Sequence, residues 1–341
     1  MLSEESLELI VQDHLAELEW QAGHGPDFAP GYGERDTWND IVLRGRLRNA
    51  VRNLNPGVPE EYLDQAIGEV ITPKSQSAIA ENRRIHQILV EGYRGIEYID
   101  HEGNIQNPTI IFLSSQPHMN DYLSLNQVTV ANLDGERRFD VVCYVNGMPL
   151  AFIELKKTGA NTSVEGAYNQ LQTYVKEFGM AFRFANIVIP SDDLSAKYGT
   201  PFTPWNHFAP WNVNEDGRPV PSDNMVVAGE PVTQLDLLLD GLFNVERFGQ
   251  LYSDFTAFDD TAEGLVMRIA KPHQYFAVTK AVGSTITAAR GDKRAGVIWH
   301  TTGAGKSMEM ELYTAKIMRR SEMLSPTVIV LNDRTELDEQ L

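Results

Sequence analysis

Asp140 and Glu154 are separated by thirteen residues, and Lys156 follows two positions beyond the second acid. They fall in an otherwise apolar run, F-D-V-V-C-Y-V-N-G-M-P-L-A-F-I-E-L-K, from Phe139 to Lys156. Two carboxylates with a nearby ammonium suit Mg²⁺-dependent hydrolysis of a phosphodiester. Mg²⁺ takes oxygen ligands and keeps several waters, so Asp140, Glu154 and the Leu155 carbonyl are candidate ligands while a bound water attacks. Lys156 would orient or help deprotonate that water and offset charge gathering on the phosphate.

The run reads as two β-strands joined at Asn146-Gly147, the strongest short hairpin signal. Side chains alternate along the second strand, so Phe152, Glu154 and Lys156 share a face opposite Ala151, Ile153 and Leu155. A two-residue turn would pair Val145 with Met148 and Asp140 with Ile153, separating the acids. A three-residue loop, Val145-Asn146-Gly147 with a left-handed Gly147, would pair Tyr144 with Met148 and bring Asp140 to the face of Glu154. The second register is the expected one.

The D-x13-E-L-K spacing resembles the PD-(D/E)xK nuclease core, with Phe139 in place of the usual proline. Further on, Glu165 to Tyr174 reads as a helix that places Gln170 and Tyr174 on one face. This Q-x-x-x-Y is similar to the motif that borders the active site of RecB-like nucleases, which implies the same place for Gln170 and Tyr174. An exposed E-L-K on an edge strand is, taken alone, more often a solvated face; the second motif shifts that balance.

A second constellation lies at Ala295 to Ser307, A-G-V-I-W-H-T-T-G-A-G-K-S. Val297-Ile298-Trp299 reads as a strand, a glycine-rich turn follows, and Lys306-Ser307 opens a helix to about Arg320. Gly303 and Gly305 would let backbone N–H groups curl around phosphates at a helix N-terminus. Lys306 would hold the β/γ-phosphates and Ser307 a Mg²⁺ ion. His300 stands where the general phosphate-loop pattern has glycine. The form T-G-x-G-K-S, from Thr302, resembles motif I of superfamily 2 helicases and translocases. In that comparison His273 to Val278, H-Q-Y-F-A-V, is similar to the Q-motif region, which implies that Gln274 reads an adenine edge. Pro326 to Asp333 predicts the next buried strand, and N-D-R-T-E-L-D-E-Q-L from Asn332 resembles motif Ia.

At 341 residues with 42% hydrophobic side chains, the chain has material for two or more packed domains. No apolar run approaches the ~18 residues of a membrane span, and the acidic N-terminus lacks a signal-peptide pattern. Cys143, the one cysteine, excludes an intramolecular disulfide and fits a reducing, cytoplasmic setting. A net charge of −18 argues against a broad DNA-coating surface but leaves room for a local basic channel.

Helices are expected over Ser3 to Leu18, with Leu7, Ile10, Val11, Leu15 and Leu18 on one face, then over Trp38 to Leu54, Pro59 to Ile71 and Ala78 to Glu91. Arg44, Arg46, Arg48 and Arg52 could meet DNA phosphates or a partner, although arginines on an amphipathic helix are more often plain surface. Strand-like runs at Ile96 to Ile99, Ile110 to Leu113 and Asn126 to Val130 precede the hairpin, and Ala185 to Pro190 follows it. Ser191 to Pro231 is a proline- and tryptophan-rich excursion containing Lys197, which is within reach of a nucleotide or DNA only if it is not a surface lysine. Leu235 to Phe258 resumes helical periodicity. The expected architecture is therefore α/β, with a nuclease domain over 1–235, a helical connection over 236–260, and the beginning of a RecA-like motor domain over 261–341.

The ordered set N-G-x-P-L-x-x-I-E-L-K, H-Q-Y-F-A-V, W-H-T-T-G-x-G-K-S and L-N-D-R-x-x-L-D-x-Q resembles the restriction (R) subunit of type I restriction-modification enzymes, from about Trp38 onward. The resemblance implies a subunit that joins a methyltransferase (M) and a specificity (S) subunit and pumps double-stranded DNA with ATP. It also implies cleavage of unmethylated DNA away from the recognition site, with Mg²⁺ as cofactor. It further implies an N-terminal fragment, with the Walker B acid and second motor lobe downstream. Another helicase-nuclease fusion, of repair or type III kind, is the alternative within the class; a non-catalytic nucleotide-binding assembly subunit is the alternative outside it.

Overall fold

The computed structural model describes residues 3–133, 135–157, 163–192, 194–220, 226–227 and 230–331. It opens with α1 (Glu4–Glu17), capped by Ser3, whose Oγ accepts from the Ser6 N–H at 3.0 Å, with Glu4 and Glu5 in the first turn. Leu7, Val11 and Leu15 enter the core, whereas Ile10 is 45% exposed, so the apolar stripe is narrower than its hydrophobicity predicts. The neighbouring positions Glu8 and Gln12 are the ones that turn inward.

After β1 (Gln21–His24), the helix α2 spans only Arg44–Leu54. The helix expected from Trp38 does not form over 38–43, because Ile41, Val42 and Leu43 are buried individually and the Leu43 N–H donates to Gly147 O at 2.9 Å. Next come α3 (Glu60–Ile71), α4 (Ala78–Glu91) and a small ribbon of β2 (Tyr98–Ile99) and β3 (Ile105–Gln106). The run Ile110 to Leu113 makes a single bridge from Ile110 to Tyr93 rather than a strand.

The main sheet is then built from β4 (Tyr122–Asn132), β5 (Gly135–Val145) and β6 (Met148–Leu155), an antiparallel meander. From β6 the chain crosses through α5 (Val164–Glu177) to β7 (Ile187–Ser191), which pairs parallel with β6. The sheet order is β1-β4-β5-β6-β7, with β1 parallel to β4 at one edge. α1 packs on one face with Val141, Cys143 and Ile153; α5 packs on the other with Phe139, Val142 and Phe152. Burial in that sheet pushes the Cys143 thiol pKa up, which fits packing rather than a nucleophile.

The proline-rich excursion after β7 is a wrap rather than a surface loop. It bridges back at Val188–Gly199 and Tyr198–Ala209, and Trp211, 1% exposed, packs against Tyr198, Tyr275 and Phe276. A short ribbon of β8 (Val226–Val227) and β9 (Glu230–Pro231) leads to α6 (Gln234–Phe243) and α7 (Val245–Asp254), two helices broken at Asn244 where one was expected. The hairpin β10 (Thr256–Thr261) and β11 (Gly264–Ile269) then ends the helical stretch before Phe258. α8 (Pro272–Arg290) and α9 (Lys306–Met318) complete the described chain, and one core cluster runs from Leu7 through Trp211 to Ile317. Trp20 ties the parts together: its Nε1 donates to Phe243 O at 2.8 Å, and its ring meets Tyr122, Phe243 and Phe248 edge-on. Among the described residues no helix is long and apolar enough to cross a membrane.

His14 clamps α1 to α6, with Nε2 2.7 Å from Asp240 and Nδ1 3.6 Å from Asp236. Hydrogen bonds to these acids push its pKa up to about 9. The resulting stability is complete below the ordinary value near 6.5 and is lost as pH rises through about 9. Because Asp240 is 51% exposed, screening limits the clamp to about 1 kcal/mol. Urea unfolding of the parent and His14→Gln should therefore differ by about that amount at pH 6 and converge by about pH 10; a constant difference would contradict the clamp.

Candidate active site

The turn of the β5–β6 hairpin is two residues, not the three expected. Asn146 and Gly147 have φ of 52° and 77°, a type I′ turn, and Val145 pairs with Met148. The offset that brings the acids together arises elsewhere. Tyr144 pairs with Pro149 but Cys143 pairs with Ala151, so Leu150 is an extra residue on β6. Pro149 has no N–H to give the ladder, and the bulge follows it directly. Continuing the register sets Asp140 across from Glu154.

The turn is also buried, which fixes the hairpin from its closed end. The Asn146 amide donates to Phe112 O and Asn120 Oδ1, each at 2.9 Å, and its Oδ1 accepts from the Asp121 N–H at 2.8 Å. The open end carries the charges. Paired residues stop at Val141 and Ile153, and beyond them the Leu155 N–H donates to Asp140 Oδ2 at 2.7 Å. Lys156 Nζ donates to Glu154 Oε1 at 3.1 Å, while its backbone N–H holds Ser191 O on β7.

Glu154 is 1% exposed, and its Oε2 is buried with no hydrogen-bond partner among the described residues. Burial first, then the charge of Asp140, pushes its carboxyl up to about 8, against the opposing pull of Lys156. Burial likewise raises Asp140, partly countered by the Leu155 N–H and Lys156. Burial would lower Lys156, but the attraction of Glu154 and Asp140 outweighs it. Two desolvated acids with an orphaned oxygen form a donor set short of one cation, and hard oxygen donors fit Mg²⁺.

The helix α5 borders this group. Gln170 Nε2 donates to the Tyr174 hydroxyl, whose ring packs edge-on against Phe139 with centroids 5.5 Å apart. The Tyr174 hydroxyl is raised by burial and then by the charge of Glu154. Gln170 and Tyr174 thus stand on the same side of the sheet as Phe152, beside the acids.

Sequence reading missed two acids from α1. Glu8, 3% exposed, accepts from Asn126 Nδ2 at 3.3 Å and is raised by burial, with Asp140 adding to the rise. Glu4 acts on Asp140, Glu154 and Lys156 through its charge. The available signal was their i, i+4 spacing beside the apolar stripe.

At the second constellation the loop and helix form but the strand does not. Gly303 and Gly305 have φ of 82° and 81°, and Gly305 caps α9 in the left-handed conformation. Lys306 Nζ donates to His300 O and Thr301 O at 3.0 Å, folding back onto the loop that it would share with a phosphate. Ser307 follows it in the first turn of α9, and Thr302 precedes Gly303 in the loop. Gln274 is buried and its amide donates to Ala304 O and Gly305 O at 3.2 and 3.3 Å, while its Oε1 accepts from the Lys271 N–H. Its amide therefore holds the loop. Val297 and Trp299 are 94% and 89% exposed and unpaired among the described residues, so the expected strand is corrected to coil. A buried parallel strand needs neighbours on its edges, and no described strand supplies them. Residues 326–331 are likewise coil; Asn332 to Leu341, with the motif Ia resemblance, lie outside the described residues.

Other basic candidates are already engaged. Arg44 pairs with Asp40, Arg46 with Asp121, Arg48 with Asp64 and Arg52 with Glu60, so the four arginines of α2 serve intramolecular ion pairs. Lys197 Nζ sits 4.4 Å from the Trp205 ring centroid.

A family model described as type I restriction enzyme R protein N terminus matches residues 1–207. The chain belongs to the type I restriction enzyme R protein family. The type I restriction enzyme HindI endonuclease subunit of Haemophilus influenzae is 31% identical to this R protein chain across all of it, and the chain covers 32% of that relative. A putative type I restriction enzyme MjaIXP endonuclease subunit of Methanocaldococcus jannaschii is 30% identical over 96% of the chain and 32% of the relative. An endonuclease subunit of Staphylococcus aureus is 24% identical over 65% of the chain and 22% of its own length. The R protein chain thus spans about a third of the length of these two curated relatives. A second model, SWI2/SNF2 ATPase, matches 273–341, the segment that contains Gln274 and the glycine loop.

Proposed function

We propose that this R protein segment carries a Mg²⁺-dependent, PD-(D/E)xK-type nuclease site followed by the ATP-binding start of a RecA-like DNA motor. The observation that carries the nuclease reading is the buried Glu154 Oε2, without a hydrogen-bond partner among the described residues, beside Asp140 and Lys156. Asp140 and Glu154, with the Leu155 carbonyl, would hold the ion, which when bound supplies an activated water and charge neutralisation at the phosphate. Lys156, tethered to Glu154 Oε1, orients the water and balances charge as the phosphodiester is attacked. Gln170 and Tyr174 fix the wall of the site that the cut strand passes. Thr302, Gly303, Gly305, Lys306 and Ser307 would cradle the nucleotide phosphates, and Gln274 couples the loop to α8.

In the whole protein this reading gives an endonuclease subunit that translocates double-stranded DNA with ATP and cuts unmethylated DNA away from its target. It works in the cytoplasm, bound to methyltransferase (M) and specificity (S) subunits that recognise the sequence. Two substitutions in the assembled enzyme separate its parts. Lys306→Ala should lower DNA-stimulated ATP hydrolysis by about a hundredfold or more, and cleavage with it, because the lysine charge on the β/γ-phosphates is lost. Asp140→Ala should abolish cleavage and leave ATP hydrolysis intact. Cleavage surviving Asp140→Ala would refute the nuclease assignment.

A further inference from the structure

Gln127 sits across from Asp140 in the β4–β5 register, and this pair is skipped: Asn126 matches Val141 and Val128 matches Phe139, with no pairing between. Gln127 has φ of 53°, a left-handed conformation that a residue with a Cβ rarely adopts. Both strands change face there. On β4, Leu123 and Leu125 and then Val128 and Val130 enter the same core; on β5, Phe139 joins Val142 and Tyr144 there while Val141 and Cys143 enter the other. Each strand therefore shifts its alternation by one residue at Gln127 and Asp140. The chain is pressed into this kink from outside. A Cβ on Gly25 would lie 2.5 Å from Asn126 O and 2.7 Å from Gln127 O, so only glycine admits that approach. The Gln127 side chain lies close enough to Glu8, the buried acid of α1, to favour its charged form against the effect of burial.

We propose that Gln127 is a positioning residue: its left-handed backbone lifts the Gln127–Asp140 pair out of the sheet, and its amide steadies Glu8 beside it. Released from the ladder, Asp140 carries its carboxylate to the Leu155 N–H and to the side of Glu154. A regular strand would keep Asp140 in the ladder and turn Phe139 to the opposite core. The inference rests on the nuclease reading and explains how the acid that the bulge after Pro149 sets across from Glu154 is freed from the ladder on its other side. Strain of this kind persists where a functional group needs it.

Gln127→Gly and Gln127→Ala both delete the amide but differ in tolerance of a positive φ, so the pair isolates the kink. Mn²⁺ uptake by the R protein, followed by calorimetry, should be about tenfold weaker or more in Gln127→Ala than in Gln127→Gly, in the range seen when supporting groups of metal sites are removed. Circular dichroism and the unfolding midpoint check that both variants are folded, and Glu8→Gln should reproduce the modest weakening of Gln127→Gly. Equal affinity in the glycine and alanine variants, both weakened or both like the parent, overturns the role of the kink while leaving the nuclease reading in place. A parent that takes up no Mn²⁺ sensitive to Asp140→Ala removes both.

Discussion

Glu154→Ala in the assembled enzyme is expected to lower DNA cleavage by at least about a thousandfold, or about 4 kcal/mol of barrier, while DNA-stimulated ATP hydrolysis continues. The size of the effect follows from where the acid sits. Glu154 is almost fully buried, one oxygen is tied to Lys156 and the other has no hydrogen-bond partner among the described residues. Removing it takes away a proposed ion ligand and also the tether of the lysine. Glu154→Gln is the sharper variant because the amide keeps the shape and can still meet Lys156, yet it is a poor ligand for a hard cation. It should lose cleavage as completely as alanine does. Without added metal it should unfold no earlier than the parent at pH 8–9, since a buried ionised acid costs more than a neutral amide of the same size. A plasmid-cleavage assay run beside ATP hydrolysis reads the first expectation, and thermal unfolding in EDTA reads the second. Robust cutting by Glu154→Gln would place the hydrolytic centre elsewhere.

Gly147→Ala should destabilise the folded chain by about 3–4 kcal/mol, the largest effect expected of a single methyl group here. Its φ of 77° disfavours any side chain, and a Cβ would lie 2.4 Å from Leu43 O and 2.7 Å from Leu47 N at the start of α2. Those neighbours are backbone and cannot swing aside, so the hairpin or the helix must move. Gly57→Ala makes the control: it also has a positive φ, of 90°, but nothing lies within 4 Å of a Cβ there. That variant should lose only about 1 kcal/mol by urea unfolding. If the two substitutions cost the same, burial of the turn is not what anchors the hairpin.

Much of this arrangement was written in the sequence, and the failures have physical causes. The hairpin is legible because Asn-Gly between β-branched runs admits few alternatives, and α1, α3, α4 and α5 form where helices are expected. Asp140 and Glu154 face each other as the hairpin reading expects, but by a different device. A glycine bulge at the turn was expected, whereas a bulge after Pro149 supplies the offset, because the proline cannot complete the ladder. Glu8 was missed because a buried acid on an amphipathic helix looks like a solvated one until a partner strand is known. The kink at Gln127 has no sequence signature: it depends on Gly25, more than a hundred residues earlier in the chain, approaching the carbonyls of Asn126 and Gln127. Val297 to Trp299 has every local feature of a strand and forms none, since a parallel strand depends on neighbours rather than on its own propensity.

Titration calorimetry of the R protein with Mn²⁺, repeated with Asp140→Ala and Glu154→Gln, tests the central claim most directly. One tight uptake event in the parent, lost in both acid variants and retained in Gln170→Ala, is the predicted result. Uptake that ignores both acid substitutions, or none in the folded parent, would contradict it.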